Sequence, residues 1–311
     1  MKLTRDEMVG PWAGMPVAWN ENMKFDEEVY RANIERICRA GVPGVYTAGT
    51  SGEFYAMEFD EWQAVTRATV EECKKHGTPS MIGVTSTYTI GAQRRAQYAA
   101  ELGADAIQLA LPYWMEVDDS QVVPFFKTVT EACPGLAFTI YETDRAKKML
   151  SVEQHHAVHK ATGCYLAVKS NVGTIGCSGK GCEQLSEFVN VWVGERLWET
   201  LGPHGAVGAA SGLVYMNPRV VLHMSDLLKQ NKWDEMTPWT NLIVRLIDGG
   251  LKGFLSERRF TDTAFDHLMS VTTGFLTMSV RSRGPYTSAT DEDVRLLRTW
   301  METNTPELLK L

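Results

Sequence analysis

The sequence predicts an α/β fold in which eight parallel strands alternate with helices and close into a (β/α)8 barrel with a C-terminal helical extension. Short apolar runs recur with helical patterns between them at a spacing of roughly 25–35 residues, which suits a strand–helix–strand unit. From Pro218 onward the pattern becomes purely helical. We therefore expect a catalytic barrel over residues 1–217 and a helical region over residues 218–311. A doubly wound dinucleotide-binding sheet is the weaker alternative, because no GxGxxG motif follows a strand.

Each predicted strand is a short apolar run, and glycine, proline or polar turns bound these runs. The strands cover residues 14–19, 45–47, 81–84, 106–109, 137–141, 165–170, 189–193 and 206–209. The intervening helices cover residues 26–40, 60–76, 90–102, 120–132, 151–161 and 180–187, with a short helix after the seventh strand. The C-terminal helices cover residues 218–230, 233–249, 255–279 and 289–300, and the third of these has a possible break.

Composition excludes several classes of function. The net charge is −7 and no basic face stands out, so we expect no nucleic-acid partner. No apolar run approaches the roughly 20 residues of a membrane helix. The N-terminus lacks the apolar core of a signal peptide, so we expect a cytoplasmic protein. The six cysteines form no CxxC pair and are expected to be reduced thiols.

A lysine ends the sixth predicted strand. Four residues, Tyr165-Leu166-Ala167-Val168, lead directly into Lys169 and read as a buried parallel strand. Active sites of such barrels lie at the carboxyl ends of the strands, where partial burial favours a neutral amine. A neutral amine can form a Schiff base with a carbonyl group. The alternative is a lysine that merely ends a strand and points into solvent.

Other strand ends offer groups for proton transfer and anion binding. Tyr141 ends the fifth strand 28 residues before Lys169, so one crossover unit places the phenol beside the amine. The phenol can donate a proton to a carbinolamine oxygen and take one back, and Thr50 can relay that proton. The turn after the second strand, Gly49-Thr50-Ser51-Gly52-Glu53, offers backbone N–H groups and two hydroxyls that suit a carboxylate. The alternatives are a core aromatic residue and an ordinary strand-to-helix turn.

Together these motifs resemble one known family. The turn is similar to that family's Gly-Thr-Thr-Gly-Glu motif, and Pro112-Tyr113-Trp114, Tyr141 and Lys169 fall in the family's order and spacing. From about residue 14 to residue 218 the chain resembles the dihydrodipicolinate synthase/N-acetylneuraminate lyase superfamily of class I aldolases and dehydratases. The helical tail also fits the C-terminal domain of that superfamily.

The resemblance implies a mechanism. Lys169 would form a Schiff base with the keto group of a 2-oxo acid, Tyr141 would transfer protons, and Thr50 would act in the relay. It also implies a set of residues that hold the carboxylate or line the pocket, namely Gly49, Thr50, Ser51, Gly194 and Val207. No metal or organic cofactor is expected, because the protonated imine is itself the electron sink. The family is usually a homotetramer built as a dimer of dimers.

The chain departs from the family pattern at three places. Trp114 stands where the synthases carry a tyrosine that reaches into the neighbouring subunit, and an indole cannot relay a proton. After Tyr141 the chain lacks the usual proline, and Arg145 stands one position nearer than the usual arginine. The segment Ser170-Asn171-Val172-Gly173 also differs from the common Glu-Ala-Ser-Gly. These departures favour a relative that acts on another 2-oxo acid, such as a sugar acid or hydroxy acid, over a true dihydrodipicolinate synthase.

Residues near Tyr141 are candidates for specificity. Arg145, Lys147 and Lys148 form a basic cluster that suits a distal carboxylate or hydroxyls, with Arg145 the best candidate; the alternative is a solvated loop. Glu142 could steer specificity or pair with a nearby cation. His155 and His159 have the four-residue helical spacing of some zinc sites, but no acidic or cysteine partner is in register.

The leading interpretation is therefore a Schiff-base lyase that performs either aldol cleavage or dehydration of a 2-oxo acid. Three alternatives stay open: a non-catalytic 2-oxo acid sensor on the same barrel, a lysine-based pyridoxal-phosphate enzyme, and a true synthase with tryptophan at position 114.

Overall fold

The structure, a computed structural model, describes residues 3–311. Met1 and Lys2, where the predicted barrel domain begins, lie outside this range. Eight parallel strands follow one another in chain order around a closed barrel, and this confirms the predicted fold class. The strands are β1 (Gly10–Gly14), β2 (Val45–Thr47), β3 (Ser80–Gly83), β4 (Ala106–Leu109), β5 (Ala137–Tyr141), β6 (Tyr165–Lys169), β7 (Asn190–Trp192) and β8 (Ala206–Ser211).

Helices separate the strands and form the C-terminal region. The helices between strands are α1 (Glu27–Arg39), α2 (Phe59–His76), α3 (Thr89–Leu102), α4 (Asp119–Glu131), α5 (Val152–Thr162), α6 (Gly179–Ser186) and α7 (Trp198–Leu201). The C-terminal helices are α8 (Pro218–Lys229), α9 (Trp233–Arg245), α10 (Lys252–Arg258), α11 (Asp262–Thr272) and α12 (Asp291–Asn304). A π-helical segment, Leu246–Leu251, joins α9 to α10. No helix within residues 3–311 is long and apolar enough to cross a bilayer.

The chain divides into two compact units. The first contains the described residues up to Gly10 together with Pro79–Ala210, and therefore holds β3 to β7 with their helices. Its parallel strands pair in the ordinary sequence, with Ile107 opposite Phe138 and Val168 opposite Val191. Aromatic side chains fill its core, with ring centroids of Phe138 and Tyr165 5.4 Å apart.

The second unit contains Pro11–Thr78 and Ser211–Leu311. It joins α1, β2 and α2 to the C-terminal helices. The Tyr30 hydroxyl is fully buried there and donates to Thr47 at 2.8 Å, while its oxygen also lies 2.9 Å from that of Thr69. These bonds satisfy a polar group inside the apolar core, which removes the cost of burying it unpaired. The predicted domain boundary after residue 217 stays a prediction.

The prediction of the first strand is wrong. Residues 14–19 were expected to form it, whereas β1 is Gly10–Gly14. Two glycines and a proline give this segment low intrinsic strand propensity, so pairing with β2 decides its conformation. Ala13 and Gly14 pair with Val45 and Tyr46, and a Cβ on Gly14 would lie 2.4 Å from the Tyr46 hydroxyl.

The helix predicted over residues 255–279, with a possible break, is divided into α10 and α11, and its predicted end is wrong. α10 ends at Arg258, because Arg259 adopts the left-handed conformation with φ 54°. α11 then ends at Thr272, and Gly274 has φ 85°. The apolar periodicity of the sequence continues past both points, so that hydrophobic spacing alone hides these ends.

Candidate active site

Lys169 ends strand β6, and the sequence of the strand explains its position. Tyr165, Leu166, Ala167 and Val168 are buried, whereas Lys169 is half-buried. The apolar residues hold the strand inside the protein up to its last position. The amine therefore lies at the end of a rigid element, which positions a reactive group better than a loop does.

Tyr141 and Lys169 are register partners at the ends of β5 and β6. The Lys169 Nζ atom lies 3.9 Å from the centroid of the Tyr141 ring, and Tyr141 itself is buried. With a protonated amine this is a cation–π contact, worth about 0.5–2 kcal/mol. The structure thus brings together the amine and the phenol that the sequence places at adjacent strand ends. A phenol this close suits proton exchange with a group formed on the amine.

The same layer of the sheet continues through β7 and β8. Lys169 pairs with Trp192, and Trp192 pairs with Gly208. A Cβ on Gly208 would lie 2.9 Å from the Trp192 indole, so the close approach of these strands requires glycine. Val207 is half-buried beside Gly208, and Gly194 is exposed beyond β7 with open space where a Cβ would stand. Of the two residues predicted to line the pocket, Val207 therefore lies in β8 and Gly194 lies just beyond β7.

Glu142 is buried, and one oxygen of its carboxylate accepts a hydrogen bond from the protein. Its Oε1 accepts the N–H of Leu150 at 2.8 Å, and its Oε2 lies 3.4 Å from His155 Nε2. Its backbone N–H donates to the Lys169 carbonyl at 3.0 Å, and its own carbonyl accepts from Asn171 at 3.1 Å. The predicted role of Glu142 in substrate specificity stays a prediction. These contacts give Glu142 a supporting position beside Lys169.

The two histidines of α5 bind the strand that carries the lysine. His155 Nδ1 lies 2.8 Å from the Tyr165 hydroxyl, and His159 Nδ1 lies 3.0 Å from the Tyr165 carbonyl. Burial is the main reason that the pKa of Tyr165 is raised well above its ordinary value, and the charge of Glu142 adds to it. Within residues 3–311 no cluster of His, Cys, Asp and Glu has the geometry of a metal site. The histidine spacing is thus explained by packing of α5 on β6.

The other predicted specificity residues are on the loops that follow β4 and β5. Trp114 is 73 % exposed, and its carbonyl accepts a hydrogen bond from Lys147, whose Nζ lies 6.0 Å from the indole centroid. Lys148 pairs with Asp119 at 2.6 Å. Arg145 is exposed, and its N–H donates to the Thr143 hydroxyl at 3.3 Å. Two lysines of the basic cluster therefore have protein partners, one on the loop after β4 and one at the start of α4.

The Gly49–Glu53 turn lies in the second unit and is tightly built. A Cβ on Gly52 would lie 2.5 Å from the Ala48 nitrogen, so only glycine fits there. Ala48 and Glu53 both adopt the left-handed conformation, with φ 54° and 47°. Ser51 is buried and Thr50 is half-buried. The turn is thus a fixed backbone structure that presents one partly accessible hydroxyl.

Glu53 anchors the end of this turn. Its carboxylate accepts from Trp19 Nε1 at 2.6 Å and from the Arg283 N–H at 2.8 Å. His267 Nε2 lies 3.8 Å from Glu53 Oε1, and both side chains are fully buried. Burial is the main cause that raises the pKa of Glu53, while His267 and the two hydrogen bonds oppose it. Glu53 therefore has a structural role in holding the turn.

Sequence reasoning missed two groups of residues around these sites. The first is the Glu142–His155–Tyr165 chain, for which the only sequence signal was the histidine spacing on α5. The second is formed by Thr263, Asp266 and Tyr215, which contact the turn or one another from distant parts of the chain. Contacts between residues so far apart in sequence leave no local pattern to read.

The chain matches the sequence profile of the Dihydrodipicolinate synthetase family over residues 9–274. It is 26% identical over 213 residues to 4-hydroxy-tetrahydrodipicolinate synthase of Bartonella bacilliformis, covering 68% of this chain and 72% of that protein. It is 28% identical over 154 residues to trans-O-hydroxybenzylidenepyruvate hydratase-aldolase of Pseudomonas aeruginosa, covering 47% of this chain and 46% of that protein. The chain therefore matches about half the length of the hydratase-aldolase.

Solved structures share the fold. Dihydrodipicolinate synthase from Aquifex aeolicus superposes with a TM-score of 0.84 at 20% identity, covering 95% of this chain and 97% of that chain. PhdJ bound to a substrate intermediate superposes with a TM-score of 0.82 at 24% identity, covering 96% and 95%. The profile match spans most of the sequence and includes the turn, Tyr141 and Lys169. The chain belongs to the dihydrodipicolinate synthetase family.

Proposed function

We propose that the protein is a class I lyase that forms a Schiff base between Lys169 and a 2-oxo acid. The observation that carries this proposal is the contact between the Lys169 amine and the Tyr141 ring, 3.9 Å from its centroid, at the ends of β5 and β6. Membership of a family of aldolase-type lyases supports it. The reaction needs no resident cofactor, because the imine formed on the lysine is the electron sink.

In the proposed reaction the neutral Lys169 amine attacks the keto carbon, and the keto oxygen takes up a proton. Tyr141 donates the proton with which this hydroxyl leaves as water, and the imine forms. The protonated imine then draws the electron pair from the bond that breaks next to the nascent enamine. A proton adds to the enamine carbon, and one water hydrolyses the resulting imine, which releases the keto acid and restores the Lys169 amine. Thr50 as the proton relay, and Gly49 and Ser51 as carboxylate ligands, are parts of the proposal that rest on the turn motif.

Among lyase reactions, we favour hydration followed by aldol cleavage of an unsaturated pyruvate derivative. In such a reaction one water adds across the double bond, and cleavage then releases an aldehyde and pyruvate. The relatives that carry the name hydratase-aldolase support this choice. Trp114 also supports it, since an indole cannot replace the tyrosine that relays protons in the synthases. Arg145 and Trp114, both exposed on loops next to Tyr141, are the proposed specificity residues.

The proposed assembly is a homotetramer, a dimer of dimers. Exposed apolar side chains on the loops after β4 and β6 support association, with Trp114 and Met115 each 73 % exposed and Val172 71 % exposed. Large exposed apolar side chains are typical of interaction sites. A cytoplasmic location is also proposed, and the six free thiols support it, because a reducing compartment preserves them.

Trapping of the imine tests the proposal. The protein is incubated with pyruvate and reduced with borohydride, and its intact mass is measured. We expect one pyruvate adduct in the wild type and in Lys160→Ala, which removes an exposed lysine of α5, and none in Lys169→Ala. An unmodified wild-type protein that still binds pyruvate would instead favour a non-catalytic 2-oxo acid sensor. A yellow protein with bound pyridoxal phosphate would favour a pyridoxal-phosphate enzyme.

A second assay tests the direction of the chemistry. Purified protein is given trans-O-hydroxybenzylidenepyruvate, and release of aldehyde and pyruvate is followed. In parallel it is given pyruvate with the aldehyde substrate of the synthases. We expect turnover only in the first assay. Turnover in the second alone would show a true synthase that functions with Trp114.

A further inference from the structure

Helix α11 contacts the Gly49–Glu53 turn at three residues. The Thr263 hydroxyl donates to the Thr50 carbonyl at 3.3 Å, Asp266 forms a hydrogen bond with the Ser51 side chain, and His267 lies 3.8 Å from Glu53. Positions i, i+3 and i+4 share one face of a helix, so a single face of α11 meets the turn. The turn proposed to bind the substrate carboxylate is therefore supported by a C-terminal helix.

Asp266 is the acidic group in this contact. Its Oδ1 accepts the Tyr215 hydroxyl at 2.7 Å, and the Ser51 hydroxyl is its second partner. Gly212 packs closely on it, since a Cβ there would lie 3.1 Å from Asp266 Oδ1. The charged groups that act on this carboxylate are Asp262 and His267. A buried acid with two neutral partners can exist in either protonation state.

The protonation state of Asp266 decides what Ser51 can offer a ligand. An ionised carboxylate only accepts, so the single proton of the Ser51 hydroxyl is directed to Asp266. A protonated Asp266 can instead donate to Ser51 Oγ while it still accepts from Tyr215. The Ser51 hydroxyl is then free to donate to an incoming carboxylate.

We propose that Asp266 is a positioning residue that couples binding of the 2-oxo acid to the uptake of one proton. This inference rests on the proposed function, in which Ser51 binds the substrate carboxylate. A substrate carboxylate next to Ser51 would add a second negative charge near Asp266. Like charges disfavour the ionised form, so substrate and proton bind together.

The pKa of Asp266 lies in the range where this coupling is measurable. Burial raises it to about 6, while the bonds from Ser51 and Tyr215 hold it lower than burial alone would. Of the charged neighbours, Asp262 raises the pKa and His267 lowers it. Glu53 faces His267 from the turn, Arg283 acts on Glu53, and the Tyr55 hydroxyl lies 2.6 Å from that of Thr263.

The test measures pyruvate affinity as a function of pH. The trapped fraction of protein is determined by intact mass over a range of pyruvate concentrations between pH 5.5 and pH 8, for wild type and Asp266→Asn. Asparagine can donate to Ser51 and accept from Tyr215, and so mimics the protonated acid. At pH 7 about one-tenth of the wild-type Asp266 would be protonated, so its half-saturating pyruvate concentration should be about tenfold higher than that of Asp266→Asn. The half-saturating pyruvate concentration of the wild type divided by that of Asp266→Asn should approach one below pH 6. Above pH 6 this ratio should grow about tenfold per pH unit.

The ratio of the two proteins removes the pH dependence of imine formation itself, which both share. Tyr215→Phe gives a second measurement. Loss of the hydrogen bond from Tyr215 raises the pKa of Asp266, so the fall of pyruvate affinity with pH should occur at higher pH in this variant than in the wild type. In a Ser51→Ala background the effect of Asp266→Asn on the affinity should be smaller, because only the repulsion between the two carboxylates is left.

A ratio that is independent of pH, or weaker binding by Asp266→Asn at every pH, would overturn the inference. In both cases an adduct still forms on Lys169, so the proposed function would stand. Absence of any adduct in the wild type at every pH would overturn the proposed function and the coupling together.

Discussion

At the scale of single residues, the position of Lys169 depends on defined contacts from side chains that do not themselves react. Glu142 contacts the Lys169 carbonyl through its backbone, and its carboxylate fixes the Leu150 N–H at 2.8 Å. His155 connects Glu142 to Tyr165, the first residue of the lysine strand. Since Tyr141 precedes Glu142 directly, a shift of this residue would move both reacting groups.

Replacement of Glu142 by alanine tests this support. The change leaves the buried Leu150 N–H and the His155 ring without their acidic partner. We expect the free energy of unfolding in urea to fall by about 1–3 kcal/mol, which is the cost of an unsatisfied buried group. Glu153→Ala, at an exposed position of α5, is the matched control; it loses only a bond to Ser151 and should lower the unfolding midpoint far less. Equal midpoints for both variants would contradict the supporting role.

Asp266 makes stability depend on pH. Its pKa in the folded protein, raised by burial to about 6, exceeds the ordinary carboxyl value of 3.8. As pH rises from about 4 to 6 the unfolded chain loses this proton first, so the folded state is progressively disfavoured, by about 3 kcal/mol in all. Asp266→Asn removes this penalty. The free energy of unfolding of Asp266→Asn in urea, relative to that of the wild type, should therefore increase between about pH 4.5 and pH 7. A difference that does not change with pH would contradict a raised pKa of Asp266.

Sequence alone predicts Lys169 and Tyr141 because each ends a recognisable apolar strand, and the barrel rule brings strand ends together. It predicts the turn because of its glycines and hydroxyl residues. The residues that contact Lys169, Tyr141 and the turn cannot be recognised from the local sequence. Asp266 is 215 positions from Ser51, and nothing local in α11 separates it from any other acidic helix residue. The direction of the Glu142 carboxylate likewise depends on the packing of α5 on β6.

At the scale of elements, the turn after β2 depends on backbone conformation. Gly52 is close to Ala48, and two other residues of this segment have left-handed φ values. Hydrogen bonds from Trp19 and Arg283 to Glu53 hold the far end. The turn is therefore held at both ends, which suits a rigid binding loop.

Gly52→Ala tests this rigidity. The added methyl group would lie 2.5 Å from the Ala48 nitrogen, so the backbone has to shift. We expect a loss of stability of about 1–3 kcal/mol by urea unfolding. We also expect a higher half-saturating pyruvate concentration in the trapping assay. Gly253→Ala, where a Cβ meets nothing within 4 Å, should be neutral or slightly stabilising. An unchanged pyruvate affinity in Gly52→Ala would show that the turn does not contribute to substrate binding.

Element boundaries show where prediction from sequence fails. Strand β6 is predicted within one residue because its apolar run is continuous. Strand β1 is misplaced because its own residues favour no strand, and its pairing with β2 fixes it instead. The break between α10 and α11 depends on a left-handed Arg259, a conformation that no residue preference announces.

At the scale of the whole molecule, the eightfold alternation of strands and helices is enough to predict the closed barrel. Assembly is a separate question, because an exposed apolar surface is visible only in the folded chain. Light scattering is expected to give the mass of a tetramer for the wild type. Trp114→Lys should lower that mass, since a charge replaces an apolar side chain at the proposed contact, whereas Lys160→Ala should not. A monomeric wild type would contradict the proposed assembly.

The central claim is that Lys169 is the residue that forms the imine. Its most direct test is peptide mapping of the pyruvate adduct after borohydride reduction, with tandem mass spectrometry of every lysine-containing peptide. We predict one modified lysine, Lys169, in the wild type, and a Tyr141→Phe variant that forms the same adduct more slowly because proton transfer is impaired. A reduced adduct on any other lysine, or none under conditions that support turnover, would contradict the claim.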